Sequence, residues 1–406
     1  MKKAFLLTLA FGLFFMSCKK DEMKVSKDFT VTIQNVIDVR DFPSSGTTGL
    51  IMPGMSESFT FNAGKGQYLK FATMFAQSND IFYAPSDEGI ALYDANGMAV
   101  TGDLSAMIHL WDAGTEVNEE PGVGMNQAPR QSAPNTGMDE NGTVALVANI
   151  SDGFNYPMNG LKFSLSHDGG TMFTATIENK TNMSTLASPF APGVWVIHND
   201  SQKPLFTEGA MASAGLEAMA EDGDNSKMNA NISSKTGYVS PYAPGAYMIG
   251  DPAVFKMGDA ASSALEALAE DGDPSGFNNV FNTPDGASAP GPLHPGSSYS
   301  FSFTAEEGDD LSFATMLVQS NDWFIGGNEI SLFSNGTALS GDITSMVKLY
   351  DAGTEVDEFA GAGNNQPLRQ SGPNTGMDEN GTVKMASPGA HVPSVGNLVK
   401  VTITAN

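Results

Sequence analysis

Residues 29–35 read FTVTIQN, and residues 173–179 read FTATIEN. In both, apolar residues alternate with threonine or another polar residue, the period-two pattern of a strand with one buried face. ESFTFNA (57–63), YSFSFTA (299–305) and VKVTITA (399–405) repeat the alternation. Between such runs lie turn residues, among them the Asn-Gly of MDENGTV at 138–144 and 377–383, a dipeptide that tolerates positive φ in a hairpin. Many short strands joined by turns predict an all-β chain of antiparallel sandwich type.

Working outward from these strands, the chain is found to repeat itself. FATMFAQSNDIF (71–82) and FATMLVQSNDWF (313–324) agree at nine of twelve positions, and PRQSAPNTGMDENGTV (129–144) and LRQSGPNTGMDENGTV (368–383) at fourteen of sixteen. The FTVTIQN and FTATIEN pair marks the two beginnings, and LKFSLSH (161–167) and LVKVTIT (398–404) the two ends. These blocks predict two tandem β-sandwiches at 28–168 and 171–406, joined at the DGG of 168–170. A further segment at 188–282 is expected as an insertion in the second module alone, leaving the first a trimmed copy. It is itself duplicated, SPFAPGVWVIHND (188–200) with SPYAPGAYMIGDP (240–252), and AGLEAMAEDGD (214–224) with SALEALAEDGD (263–273). The latter pair predicts short helices ending at Gly223 and Gly272, with their acids solvated.

A chain of 406 residues accommodates two or three domains, and hydrophobic residues make up 41%, a globular proportion. Twenty basic residues against 46 acidic give a formal charge of −26, which excludes the cationic footprint of a nucleic-acid binder. The one cysteine, Cys18, closes MKKAFLLTLAFGLFFMSC (1–18), with a two-lysine start and an apolar run too short to span a bilayer. With no second cysteine there is no intrachain disulfide to form. The pattern reads as a lipoprotein signal over 1–17, lipidation at Cys18 and a tether over 18–27. CKKDE (18–22) resembles export tags that direct lipoproteins to the outer face of the outer membrane.

LWDAGTEV (110–117) and LYDAGTEV (349–356) place two acids four residues apart around a glycine turn. Two readings stand on the residues alone. Asp favours turns because its side chain bonds its own backbone, and the glutamate is then merely solvated. Alternatively, clustered carboxylates bind a hard cation such as Ca2+, which takes six to eight oxygens. DGDPSGFNNVFN (271–282) has an EF-hand spacing at its start but Asn282 where the bidentate glutamate belongs. Catalytic motifs of the HExxH, GxSxG and P-loop kinds are missing from the sequence, so no enzyme is expected, the alternatives being an enzyme acting on polysaccharide or a purely structural surface protein.

SNDWF, LYDAGTEVDE, PNTG and the SPFAPGVWVIH…GLEAMAEDGD arm together resemble the spondin domain family of F-spondin and mindin. The resemblance covers nearly everything after residue 28. It implies an antiparallel β-sandwich with Ca2+ held in loops at one end, and a role in adhesion or ligand binding towards an extracellular protein or glycan. Carried onto this chain, the family's ligands fall at Asp80, Asp112 and Glu116 in the first module and Asp322, Asp351 and Glu355 in the second. Glu116 and Glu355 stand where the family uses aspartate, and Ile81 stands where the second module has Trp323.

Overall fold

The computed structural model describes residues 24–406, so the segment expected to be a lipoprotein signal, Cys18 and most of the expected tether lie outside the described residues. The chain is all-β with short helices, arranged as two sandwiches. Each pairs a four-stranded antiparallel sheet with a larger one.

The strand that opens the chain does not belong to the first sandwich. Ser26–Asn35 lies between Ser298–Glu306 and Val399–Ala405, pairing Val31 with both Phe301 and Ile403. Its alternation is used as expected: Phe29, Val31 and Ile33 are buried while Thr30 and Thr32 are half-buried. The matching strand Met172–Asn179 lies between Ser56–Asn62 and Leu161–Gly169, inside the first sandwich. The boundaries expected at 28–168 and 171–406 are therefore corrected. The first sandwich is built from strands between residues 44 and 199, and the second from Ser26–Asn35 together with strands from Tyr242 onward.

The cause is the segment taken for a join. Gly169 and Gly170 both have positive φ, 103° and 58°, and close a tight hairpin between Leu161–Gly169 and Met172–Asn179. So short a turn cannot deliver the second strand to another sheet. The central place in the other four-stranded sheet is taken by Ser26–Asn35. Where the chain passes between modules, the two crossings are stitched together. Lys235 O accepts from the backbone N–H of Asp41 at 2.8 Å and Phe42 at 3.0 Å, and Phe42 O accepts from Gly237 N at 2.9 Å.

The expected insertion at 188–282 is likewise shared between the modules. Val194–Asn199 pairs with Gln67–Met74 in the first larger sheet, and Tyr242–Ile249 with Asp310–Leu317 in the second. The first module is thus a full copy. The duplication inside 188–282 is one arm for each sandwich.

Two buried layers follow. Between the sheets of the first module Phe71 stacks on Phe163 and Phe59 on Trp195, with centroids 5.1 and 5.0 Å apart; Tyr247 and Phe301 do the same in the second at 4.3 Å. On the outer faces lie the arm helices Ala214–Asp222 and Ser263–Asp271. Leu216 and Met219 pack with Phe82 and Val196, and Leu265 and Leu268 with Ala314 and Phe324. Ser213 and Ser262 cap them by accepting from Leu216 N and Leu265 N, and Gly223 and Gly272 end them in the left-handed region. A second helix in the first arm, Ser226–Ser233, was not expected from the sequence.

Candidate metal centre

Strand register brings the first two acids together. Ile81 pairs with Asp112 and Trp323 with Asp351, so the residue before each strand, Asp80 or Asp322, stands beside the aspartate that ends the neighbouring strand. The QSND turn is held by Ser78, whose hydroxyl donates to Phe75 O at 2.6 Å and accepts from Ile81 N. Ser320 repeats the arrangement.

The turn reading and the ligand reading prove compatible, one oxygen at a time. Asp80 Oδ2 accepts from Thr115 N (2.7 Å), Thr115 Oγ1 (3.1 Å) and Glu116 N (3.1 Å). Asp322 Oδ2 accepts from Thr354 N, Thr354 Oγ1 and Glu355 N in the same way. Asp112 Oδ1 and Asp351 Oδ1 accept from Gly114 N and Gly353 N, glycines with φ near 67° and 68°. Asp80 Oδ1 and Asp322 Oδ1 are buried with no partner. A buried carboxylate oxygen left without a hydrogen bond costs free energy that a cation would recover.

Glu116 and Glu355 turn elsewhere. Glu116 Oε1 accepts from Gly137 N at 2.7 Å and Oε2 from Asn79 Nδ2 at 3.2 Å; Glu355 is bound identically to Gly376 N and Asn321 Nδ2. A Cβ on Gly137 or Gly376 would lie 2.2 Å from that carboxyl carbon, so the PNTG glycine exists to admit the glutamate. These glutamates hold the PNTG loop. The third acid at the aspartate pair is Glu379, from the MDENG turn: single oxygens of Asp322, Asp351 and Glu379 lie within 4.8 Å of one another. Glu379 N donates to Thr354 O at 2.8 Å, which anchors that turn against DAGT. Glu140 takes the corresponding place in the first module, with Glu140 N on Thr115 O at 2.9 Å, but among the described residues its carboxylate does not converge with Asp80 and Asp112; burial, then Asp112, raises it. The identity of MDENGTV in both modules was the available signal.

The electrostatics agree. Burial, then the neighbouring Asp112, pushes Asp80 well above the ordinary carboxylate range. Burial and Asp351 push Asp322 up to about 7. Burial also raises Asp112 and Asp351. Acids this reluctant to ionise together are stabilised as anions by a bound cation. The three converging donors are all carboxylate oxygens, a hard set that fits Ca2+.

The EF-hand-like stretch forms no such group among the described residues; Asp271 Oδ1 accepts from Gln370 Nε2. The helix-end acids expected to be solvated are not all so. Glu221 and Glu270 are buried, and burial pushes both up to about 7.

Residues 245–379 match the Spondin_N family model, a stretch running from the second arm through QSND and DAGT to Glu379. Over that stretch the second module is similar to the spondin family. The first sandwich repeats the strand order of the second in its four-stranded sheet, together with its QSND, DAGT and MDENG turns. No curated protein matches the chain.

Proposed function

We propose that this is a surface-anchored binding protein whose two spondin-type modules each use Ca2+ to order the loops at one end. The supporting observation is the pair of buried, unpartnered oxygens Asp80 Oδ1 and Asp322 Oδ1, each beside a second aspartate. Asp322, Asp351 and Glu379, whose oxygens already converge, would hold one ion, and Asp80 and Asp112 the other once the Glu140 carboxylate turns in to join them. The ion would neutralise the carboxylates and tie QSND, DAGT and MDENG into one rigid rim. That rim is the face offered to an extracellular protein or glycan.

The role is adhesion or ligand capture rather than catalysis, because the best acid constellation is committed to the ion and to the turns around it. Lipidation at Cys18 would tether the protein to the outer membrane, facing the exterior. No described helix is long and apolar enough to cross a membrane. An ion present at 100 times its dissociation constant stabilises the protein that binds it by about 2.7 kcal/mol. Melting the mature protein with Ca2+ and with a chelator tests the reading, on wild type and on the double variant Asp80→Asn, Asp322→Asn. The wild-type midpoint rises with Ca2+ and the variant's does not; an unchanged wild-type midpoint refutes the metal reading.

A further inference from the structure

The two metal centres share their turns and differ in what faces them. In each module a two-residue strand pairs with the end of the DAGT strand. Ala145 stands opposite Asp112, and Lys384 stands opposite Asp351. Lys384 Nζ lies 3.2 Å from Asp351 Oδ2 and 2.6 Å from Glu379 Oε1. One ammonium thus rests on two of the three acids whose oxygens converge in that module. In the first module Asp112 Oδ2 accepts from the neutral Asn118 amide at 2.5 Å. Among the described residues no lysine, arginine or histidine pairs with Asp80, Asp112 or Glu140.

Asn118 is replaced in the second module by Asp357, which accepts from Trp323 Nε1 at 2.6 Å. The extra carboxylate offsets the extra ammonium, so both centres attract a cation from a distance to a similar degree. They differ in which oxygens are free at close range. In the first module an arriving ion displaces no ammonium. In the second it must break two ion pairs and move a lysine whose side chain is 44% exposed and has water to move into.

We propose that Lys384 is a built-in counter-cation of the second centre, so that the modules divide the work: the first orders its rim only with a divalent ion, and the second holds its rim without one and takes the ion more weakly. The division of ion affinity rests on the metal reading above; the counter-cation role of Lys384 does not. A single ammonium leaves most of the acidic charge uncompensated, so the second site still binds a divalent ion. Asp322 Oδ1, which the lysine does not reach, remains open to it.

Two exchanges test this on the full chain, Lys384→Ala and Ala145→Lys, read by calorimetric titration with Ca2+ and by melting in chelator. Wild type shows one tight and one weaker site. Lys384→Ala tightens the weaker site by about tenfold, and Ala145→Lys weakens the tight site by a similar factor. Asp80→Asn removes the tight site and leaves the weaker one. In chelator, Ala145→Lys raises the melting midpoint and Lys384→Ala lowers it. If titration of every variant is flat while these chelator shifts appear, the metal reading fails and the counter-cation role survives. If Lys384→Ala leaves the weaker site unchanged or loosens it, or if the chelator shifts are absent, the inference is overturned and Lys384 is a surface ion pair only.

Discussion

Phe29 stacks on Phe303 with ring centroids 5.6 Å apart, across the strand pairing that carries the start of the chain into the sandwich nearest its end. One contact of this kind makes the second module depend on residues that precede the whole of the first. The chain therefore encloses its first module within its second.

Ile33→Ala should destabilise the second module and spare the first. Ile33 is fully buried in a central strand, and such truncations cost about 2–5 kcal/mol. Hydrogen exchange locates the damage. Protection is expected to fall in 298–306 and 399–405 and to persist in 172–179. Loss in 56–62 instead would contradict the strand exchange.

Asn35 and Asn179 should be equally costly to truncate, because each ends its strand by binding its own arm. Asn35 Nδ2 donates to Ser240 O at 3.0 Å and Leu293 O at 3.1 Å; Asn179 Nδ2 donates to Ile51 O and Ser188 O at 2.9 and 2.8 Å. Replacement by Ala removes two buried hydrogen bonds, a loss of about 1–3 kcal/mol in each case by denaturant midpoint. A large effect at one position and none at the other would show that the modules are not built alike.

Gly137→Ala places a Cβ against the Glu116 carboxyl group and should cost about 1–3 kcal/mol. Combining it with Glu116→Ala is expected to recover part of that loss, since the clash and its partner are removed together. Strict additivity in the double-mutant cycle would mean that Glu116 is not the obstacle.

Without divalent ions, stability should fall as pH rises from about 5 to 8. Burial raises Glu221 and Glu270 to about 7, above the ordinary glutamate value, so between the two values the folded chain holds protons that the unfolded chain has released. The cost of ionising them in the fold begins above the unfolded value and is complete once pH passes the folded one. Glu221→Gln should flatten the dependence of melting midpoint on pH by an amount on the order of 1–3 kcal/mol. An unchanged slope would place the Glu221 carboxylate in water.

Much of this was legible in the residues. Alternation in FTVTIQN and FTATIEN marked real strands with the expected buried faces. Gly223 and Gly272 end real helices where they were expected to. The spacing of SND and DAG marked two aspartates that the structure does place side by side. These are local matters: strand period, cap chemistry and turn chemistry act within a few residues and leave their pattern in sequence. Three other features depend on distant partners. FTVTIQN and FTATIEN present the same face, so either would suit either sheet, and the choice fell to the Gly169–Gly170 hairpin, which leaves the second strand no reach beyond its own module. DAGTE showed two acids but not where the second carboxylate points, which Gly376 N determined by taking it out of the cluster. Lys384 looked like any surface lysine until strand pairing set it across from Asp351. Sequence decided which segments are strands, helices and turns, because those preferences are carried by neighbouring residues. Tertiary structure decided which strand joins which sheet and which acids share a site, because interchangeable faces and free carboxylates are assigned only by what they meet.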